Sequence, residues 1–546
     1  MAEVGLRQEL RGWQILLITM SGVIGVTIFS NGGQALEIAG PGGMLCAYCI
    51  VGLIAIAVME GVSEMVQLFP APNAIVEYVK AFVDADLAWV VGVAYWYTYS
   101  AIFATQIIAA AGFSSYWNFP QSWQTIVFYI LSPIVILVIN FAGVKWYGYV
   151  EAFGGSLKLC MVLGCGVFLY VTADQENFGS KYFEAGLQNN PRYASNHSQA
   201  VAYAIFIISY GFLAIEIVAM TAYEARDMKD LRRPSQLVAY IICFSYLFCA
   251  LGEALDVEWN DPDLPVIYGA SNVNGAATVK IKARSRAVVV IAAERAGYKH
   301  APGFLTGCMI FSAMSAANTS LHLGTVVPRT GVPGWALLVS AIAFFWLPFL
   351  QLKSGYAAQE LVEIMAVSGS VSGLIVWASL CLAFIRYEYW LRMHKDSLHG
   401  AHYGRYNRWD RTVRESSTFL GYFQPVVAWA GLAGCLLVVF VFSSAMWWNG
   451  VIRFRKVASA YASPIILLAL WIIRKIVFGG KHEHQRASNS QSWVLKLTHH
   501  INGFLGSSGV LEGGSPRLSS PKDVVLINGD RLAATTVKTG HLSQML

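Results

Sequence analysis

Apolar runs of about twenty residues recur along this chain, and that recurrence decides which solvent it folds in. Such a run is the length an α-helix needs to cross a hydrocarbon layer. Only helices and closed barrels satisfy their own backbone polar groups there. About twelve runs can be traced, near 14–37, 44–66, 88–115, 122–142, 152–172, 200–222, 236–255, 303–323, 332–350, 357–385, 422–446 and 459–478. The expected fold class is therefore an all-α integral membrane protein. Composition agrees: 56% of the 546 residues are hydrophobic and 13% are charged, against roughly 25% charged in soluble domains. The net charge of +6 is spread through loops and tails and makes no case for a nucleic-acid partner.

The first run has an unusual texture. Ile15 to Gly33, ILLITMSGVIGVTIFSNGG, carries glycines at 22, 25, 32 and 33. Glycine costs roughly 1 kcal/mol in a helix interior and frees the backbone for other angles. The pattern predicts a membrane helix broken halfway, with unpaired amides and carbonyls at the break. Lipid cannot satisfy such groups, so the break must face protein, water or a ligand. Broken helices are where many secondary transporters hold their substrate. Glycines also let two membrane helices pack closely with no ligand involved, and the run alone leaves both readings open.

Loop charge sets an expected orientation. Arg7 and Arg11 precede the first span, Arg226, Lys229, Arg232 and Arg233 follow the sixth, and residues 386–414 are rich in arginine. With an even number of spans, both ends are expected in the cytoplasm. Basic residues in the long 256–301 loop argue the other way, though long loops weigh less in the rule. The sequon Asn196-His197-Ser198 then falls outside, which makes Asn196 a candidate glycosylation site. No signal-peptide pattern precedes the first run, which reads as the first span itself. Residues 66–88 read as an interfacial helix, a gating element or a plain connector. All nine cysteines lie in apolar runs, so a disulfide framework is not expected, and no metal-ligand cluster emerges. The chain divides into a cytoplasmic segment 1–13, a membrane domain 14–478 and a Ser/Gly-rich cytoplasmic tail 479–546 expected to be disordered.

Charged residues inside spans are costly and usually face the bundle interior. Glu216, in AIFIISYGFLAIEIVAMTAY, is the clearest case; it would bind a substrate amine, carry a proton, or simply make an interhelical hydrogen bond. Lys158, in GGSLKLCMVLGCGVFLY, is explained from pattern alone by snorkelling to the interface. Glu60 and Glu64 lie one turn apart near the end of the second span, as an intracellular gate with basic loop residues or as helix-end caps. No enzyme constellation appears, and no phosphate-binding Gly-Lys-Thr/Ser loop, which excludes an ATP-driven pump. Coupling energy would come from an ion gradient, with no cofactor.

Several runs together resemble the fungal amino-acid permeases of the APC superfamily. They are GVIGVTIF (22–29), AGPGGMLCAYCIVG (39–52), VMEGVSEMVQLFP (58–70), YVKAFVDADLAWVVGVAYWY (78–97), INFAGVKWYGYVE (139–151), EIVAMTAYEARDMKDLRRPSQ (216–236), Asn260-Asp261-Pro262 and MIFSAMSAANTSL (309–321). The resemblance covers roughly 10–478 in order. It implies two inverted five-helix repeats with broken first and sixth helices, plus two peripheral helices. In such a protein the breaks hold an amino acid's α-carboxylate and α-amine. Carried over, the substrate site falls at Gly22, Gly25, Val26 and Thr27 and at Gly211, Phe212, Ala214, Ile215 and Glu216. Val26 and Thr27 stand where the family usually has Thr-Gly, and Ala214-Ile215 where it usually has Gly-Thr. Lys158, seven residues after Glu151, matches the lysine whose ammonium replaces a coupling sodium, which implies proton coupling through Lys158 and Glu216. Between Leu321 and Gly331-Val332-Pro333 the chain is shorter than the family pattern.

The function these features predict is proton-coupled amino-acid import by alternating access, at the plasma membrane. A permease-like sensor with little flux is one competing reading, and transport of amines or other small solutes is another. The tails would meet trafficking or ubiquitin-ligase machinery. A membrane enzyme lacks paired catalytic residues.

Overall fold

A computed structural model describes residues 10–71, 73–141, 144–175, 182–226, 231–265, 287–323, 334–350, 356–393, 395, 408–409, 420–448, 450, 452 and 454–488. The described residues are overwhelmingly helical. In chain order the helices are α1 (Gly12–Val23), α2 (Thr27–Leu68), α3 (Ala74–Phe82), α4 (Ala85–Ser114), α5 (Gln121–Phe141), α6 (Val144–Gln175), α7 (His197–Phe212) and α8 (Ile217–Thr221). They continue as α9 (Arg232–Asp256), α10 (Val288–Arg295), α11 (Ala301–Leu323), α12 (Gly334–Ala343), α13 (Leu347–Leu350), α14 (Tyr356–Met393), α15 (Val426–Phe440) and α16 (Phe454–Ser488). Every run marked from sequence carries helix. The shortened connection after the eighth run, at 324–333, lies outside the described residues, as do residues 1–9 and 489–546 of the expected tails.

Large apolar side chains stand exposed on the outer helices: Val138 is 62% exposed, Phe153 69% and Ile465 64%. In water this would be an aggregating surface; in a bilayer it is solvation by lipid. The interior is bound by pairs of long helices. α2 packs along α7 and α9, α4 along α11, and α1 and α9 along α6. One apolar cluster joins Val26 to Phe103 and Ile107 of α4, Phe128 and Ile136 of α5, and Ala313 and Ala317 of α11.

Three details sharpen or correct the expected layout. No loop separates the first two spans. α2 runs from Thr27 to Leu68, with Gly40 at φ 71 and Pro41 making a kink where a loop was expected. The segment after α6 straps that kink, since Gly42 N–H donates to Gly186 O at 2.9 Å and Gln188 N–H to Ala39 O at 3.0 Å. A side chain at Gly40 would meet Gly186 and Gln188, so glycine is required for both its angle and its contact. Second, residues 74–82 form the short helix α3, which buries Ile75, Tyr78, Val79 and Phe82, with Tyr78 donating to Phe69 O at 2.8 Å. Third, α16 continues to Ser488, ten residues beyond the expected end of the membrane domain. Extending an existing helix is far easier than starting one, which is how polar residues after 478 stay helical.

Residues 1–388 and 417–477 form one compact unit. The described residues of 389–409 and 478–488 belong to another, in which Lys395 Nζ lies 5.5 Å over the Trp409 ring.

Small residues set the closest crossings. A Cβ placed on Gly155 of α6 would collide with the Leu17 backbone of α1, where nothing can rotate away. Gly164, about two and a half turns further, has open space around it. Gly155→Leu is expected to destabilise the folded bundle by about 2–3 kcal/mol, and Gly164→Leu to leave it unchanged. Thermal unfolding of the two variants in detergent checks this.

Candidate functional site

The first span breaks where its glycines predict. α1 ends at Val23, Ile24 leaves the helix at φ −74 and ψ 92, and α2 restarts at Thr27. Helix ends leave carbonyls on one side and amides on the other without partners in their own helix. Neighbouring side chains supply several. Ser312 Oγ donates to Ile24 O at 3.2 Å, and Val26 N–H donates to Gln106 Oε1 at 3.4 Å. Gln106 approaches this closely because residue 25 is glycine; a Cβ there would stand 2.8 Å from its Nε2.

The sixth span breaks as well. α7 ends at Phe212, residues 213–216 turn, and α8 starts at Ile217 behind Glu216. Ala214 sits at φ 81, a left-handed angle that costs a residue with a Cβ about 1–2 kcal/mol. Glycine would take that angle freely. Glu216 is 3% exposed and fully engaged: Oε1 accepts from the Tyr99 hydroxyl at 2.5 Å and Oε2 from Trp377 Nε1 at 2.8 Å.

The two breaks face each other. A Cβ at Gly22 would strike the Ile217 side chain and lie 3.8 Å from Ala214 Cβ. One at Gly211 would lie 3.6 Å from Thr27 Oγ1. Tyr246 of α9 joins them directly: its hydroxyl lies 3.0 Å from Val23 O and 3.1 Å from Gly211 O, sharing one proton between the carbonyl ends of both half-helices. Phe212 packs on the same ring at 5.0 Å. Gly22, Gly25, Val26, Thr27, Gly211, Phe212, Ala214, Ile215 and Glu216 are therefore gathered in one place.

Lys158 lies on the other side of α1. It is 0% exposed and does not snorkel; Nζ donates to Ser21 O at 2.6 Å. The Ser21 hydroxyl donates to Glu151, one residue serving both partners. Glu151 also accepts from Thr319 Oγ1 at 2.8 Å and from Asn318 Nδ2. Asn140 Nδ2 donates to Asn318 Oδ1 at 2.8 Å, Asn140 Oδ1 lies 3.2 Å from His322 Nδ1, and His322 Nε2 lies 3.9 Å from Glu224. A polar spine thus leads from Lys158 to the far end of α11. A groove of about 550 Å³ between α5, α6 and α11 borders the same Glu151, lined by Val135, Trp146, Phe153 and Phe311.

Glu60 and Glu64 meet the segment before α15. Glu60 accepts from Tyr422 N–H at 2.8 Å and the Tyr240 hydroxyl at 2.7 Å, and Glu64 from Gly421 N–H at 3.0 Å. They pin the segment leading into α15. Asn196 is exposed and caps α7, its Oδ1 accepting from Gln199 N–H at 2.8 Å. Gln106, Tyr246, Tyr99, Trp377 and Ser312 were not foreseen. A lone amide in FATQIIAAA was a usable signal for Gln106, because an uncharged polar group in lipid also needs a partner. Aromatics and serines are too common in spans to single out the rest.

The model of the amino acid permease family matches residues 14–484. The chain belongs to that family. It is thus a transporter that moves amino acids across a membrane. Among similar proteins, a lysine/arginine permease of Candida albicans is 24% identical over 500 residues, covering 85% of this chain and 80% of its own. A proline-specific permease of Saccharomyces cerevisiae is 25% identical (86% and 75% covered), and a tryptophan permease of the same yeast is 25% identical (87% and 78%). A solved manganese transporter of Eremococcus coleocola is similar in fold, with a TM-score of 0.54, 12% identity, and 87% of this chain and 97% of that chain covered.

Tyr246→Phe removes only the hydroxyl that joins the breaks. The permease is expected to fold, with its amino-acid uptake rate lowered about tenfold, since losing a hydrogen bond to buried carbonyls costs on the order of 1–2 kcal/mol. Initial rates at matched surface expression measure it.

Proposed function

We propose that this permease imports an amino acid with a proton, by alternating access around the two facing breaks, at the plasma membrane with both termini cytoplasmic. The observation that carries the reading is the Tyr246 hydroxyl tying Val23 O to Gly211 O, because it makes the two breaks one site. The start of α2 leaves the Thr27 and Ile28 amides without acceptors in their own helix, and the helix dipole favours an anion there. The substrate's α-carboxylate sits on these amides. Its α-amine sits on the carbonyl end of α7 beside Glu216. Val26 and Thr27 add bulk beside the carboxylate and narrow what fits.

The relatives are named for lysine and arginine, for proline and for tryptophan, side chains that share little chemistry. What such substrates share is the backbone, and the breaks offer backbone groups to it. Selectivity then belongs to side chains around the site, with Gln106, Phe212 and Trp377 nearest. Glu60 and Glu64 act in gating by holding the segment before α15, and Asn196 is glycosylated.

For the proton, Lys158 is the coupling group. Its ammonium pins α1 to α6 through Ser21 O, a charge-assisted bond about twice as strong as a neutral one. Loss of the proton loosens that bond and frees α1 to tilt.

Uptake of labelled amino acids into permease-deficient cells tests the transport reading. Uptake that rises as external pH falls supports it; none for any amino acid or amine, with the protein confirmed at the surface, defeats it. Lys158→Ala is expected to abolish accumulation driven by a pH gradient in proteoliposomes, while exchange at equal pH persists within about tenfold. Undiminished accumulation would show that the proton does not travel by Lys158.

A further inference from the structure

Glu253 of α9 is a carboxyl that neither the breaks nor the Lys158 spine uses. It is 1% exposed, and neither oxygen has a hydrogen-bond partner among the described residues. Asp256, one turn further along α9, accepts from the Thr172 hydroxyl. Among the described residues, the titratable groups facing Glu253 are Tyr48 of α2, Cys165 of α6 and Cys249 of its own helix, and none of these is a cation. Among the described residues such a carboxylate has neither donor nor counter-charge, and buried charges are tolerated only with one or the other. The side chain is accommodated here as the neutral acid.

Its position adds the second observation. Oε2 rests against Gly32, so closely that a Cβ at 32 would overlap it. Gly32 belongs to the first half of α2, a segment with a hinge at each end: the break at 24–26 and the non-helical Gly40 before Pro41. The carboxyl is sealed by a half-helix that has a non-helical stretch before it and a kink at Gly40 after it.

We propose that Glu253 is a second proton-binding site, closed by the half-helix that carries Gly32 and opened to water when that half-helix swings away. Open, the hydrated carboxylate takes a proton from hydronium, leaving water. Closed, it holds the proton as the acid; reopened at lower proton concentration, it returns the proton to water. No electron moves and no other reactant is needed.

The test uses the full-length protein in lipid nanodiscs. Infrared difference spectra between wild type and Glu253→Gln are expected to contain the C=O stretch of a protonated carboxylic acid, fading reversibly as pH is raised. Absence of that band, or a band that ignores pH, overturns the proposal. A second arm rests on the transport reading: in proteoliposomes, Glu253→Gln is expected to keep amino-acid exchange and to lower the protons moved per amino acid by about one. An unchanged ratio with exchange intact also overturns it. If wild type shows no uptake, the transport reading has failed and the infrared arm alone decides the site.

Discussion

Breaking a helix inside a membrane exposes backbone groups that lipid cannot satisfy, and the rest of this structure is arranged around meeting that demand. The first and sixth spans are broken, and one hydroxyl, on Tyr246, serves the carbonyl ends of both. Ser312 and Gln106 serve the first break from α11 and α4. Each of these partners, two donors and one acceptor, comes from a different long helix, so the breaks hold only while α4, α9 and α11 stay packed. The amides opening α2 have no such partners within their helix, and that asymmetry favours an anionic ligand at the site.

The buried carboxylates follow a related rule. Among the described residues, Glu216, Glu151 and Glu60 accept from hydroxyls, amides and an indole rather than from arginine or lysine. Neutral donors satisfy a carboxylate without locking it to a second charge, which suits helices that must shift against one another. Lys158 mirrors this by donating to a backbone carbonyl, with Ser21 set between it and Glu151. Glu253 stands apart because it has no donor among the described residues.

Much of this was legible in the sequence, for reasons that can be traced. Run length marked the helices, because bilayer thickness fixes how many residues a span needs. Glycines at 22, 25, 32 and 33 marked the first run as one that breaks, since glycine both weakens a helix and admits close approach, and the resemblance put the site at its middle, where the helix does break. The ordered resemblance placed the second break. What stayed hidden depends on packing between distant segments. Periodicity does not say that Tyr246 reaches two carbonyls, that Trp377 meets Glu216, or that Glu60 holds the Tyr422 amide. Lys158 was misread from pattern as an interfacial residue because it lies near the end of an apolar run; only the crossing of α1 over α6 shows that it is buried. The loop expected at 38–43 vanished because Gly40 turns the chain within a single residue.

The central claim is that the paired breaks grip the backbone of an amino acid, with amides on its carboxylate and carbonyls on its amine. The most direct test is equilibrium binding to the purified permease, once a transported amino acid is found, in competition with two blocked forms of it. One is the carboxamide and the other the N-acetyl derivative. Each removes a single charge and keeps the side chain. The account predicts that both compete at least about a hundredfold more weakly than the parent, the loss of a charge-assisted contact of about 3 kcal/mol. Blocked forms that compete as well as the parent would show that the breaks do not read the amino-acid backbone.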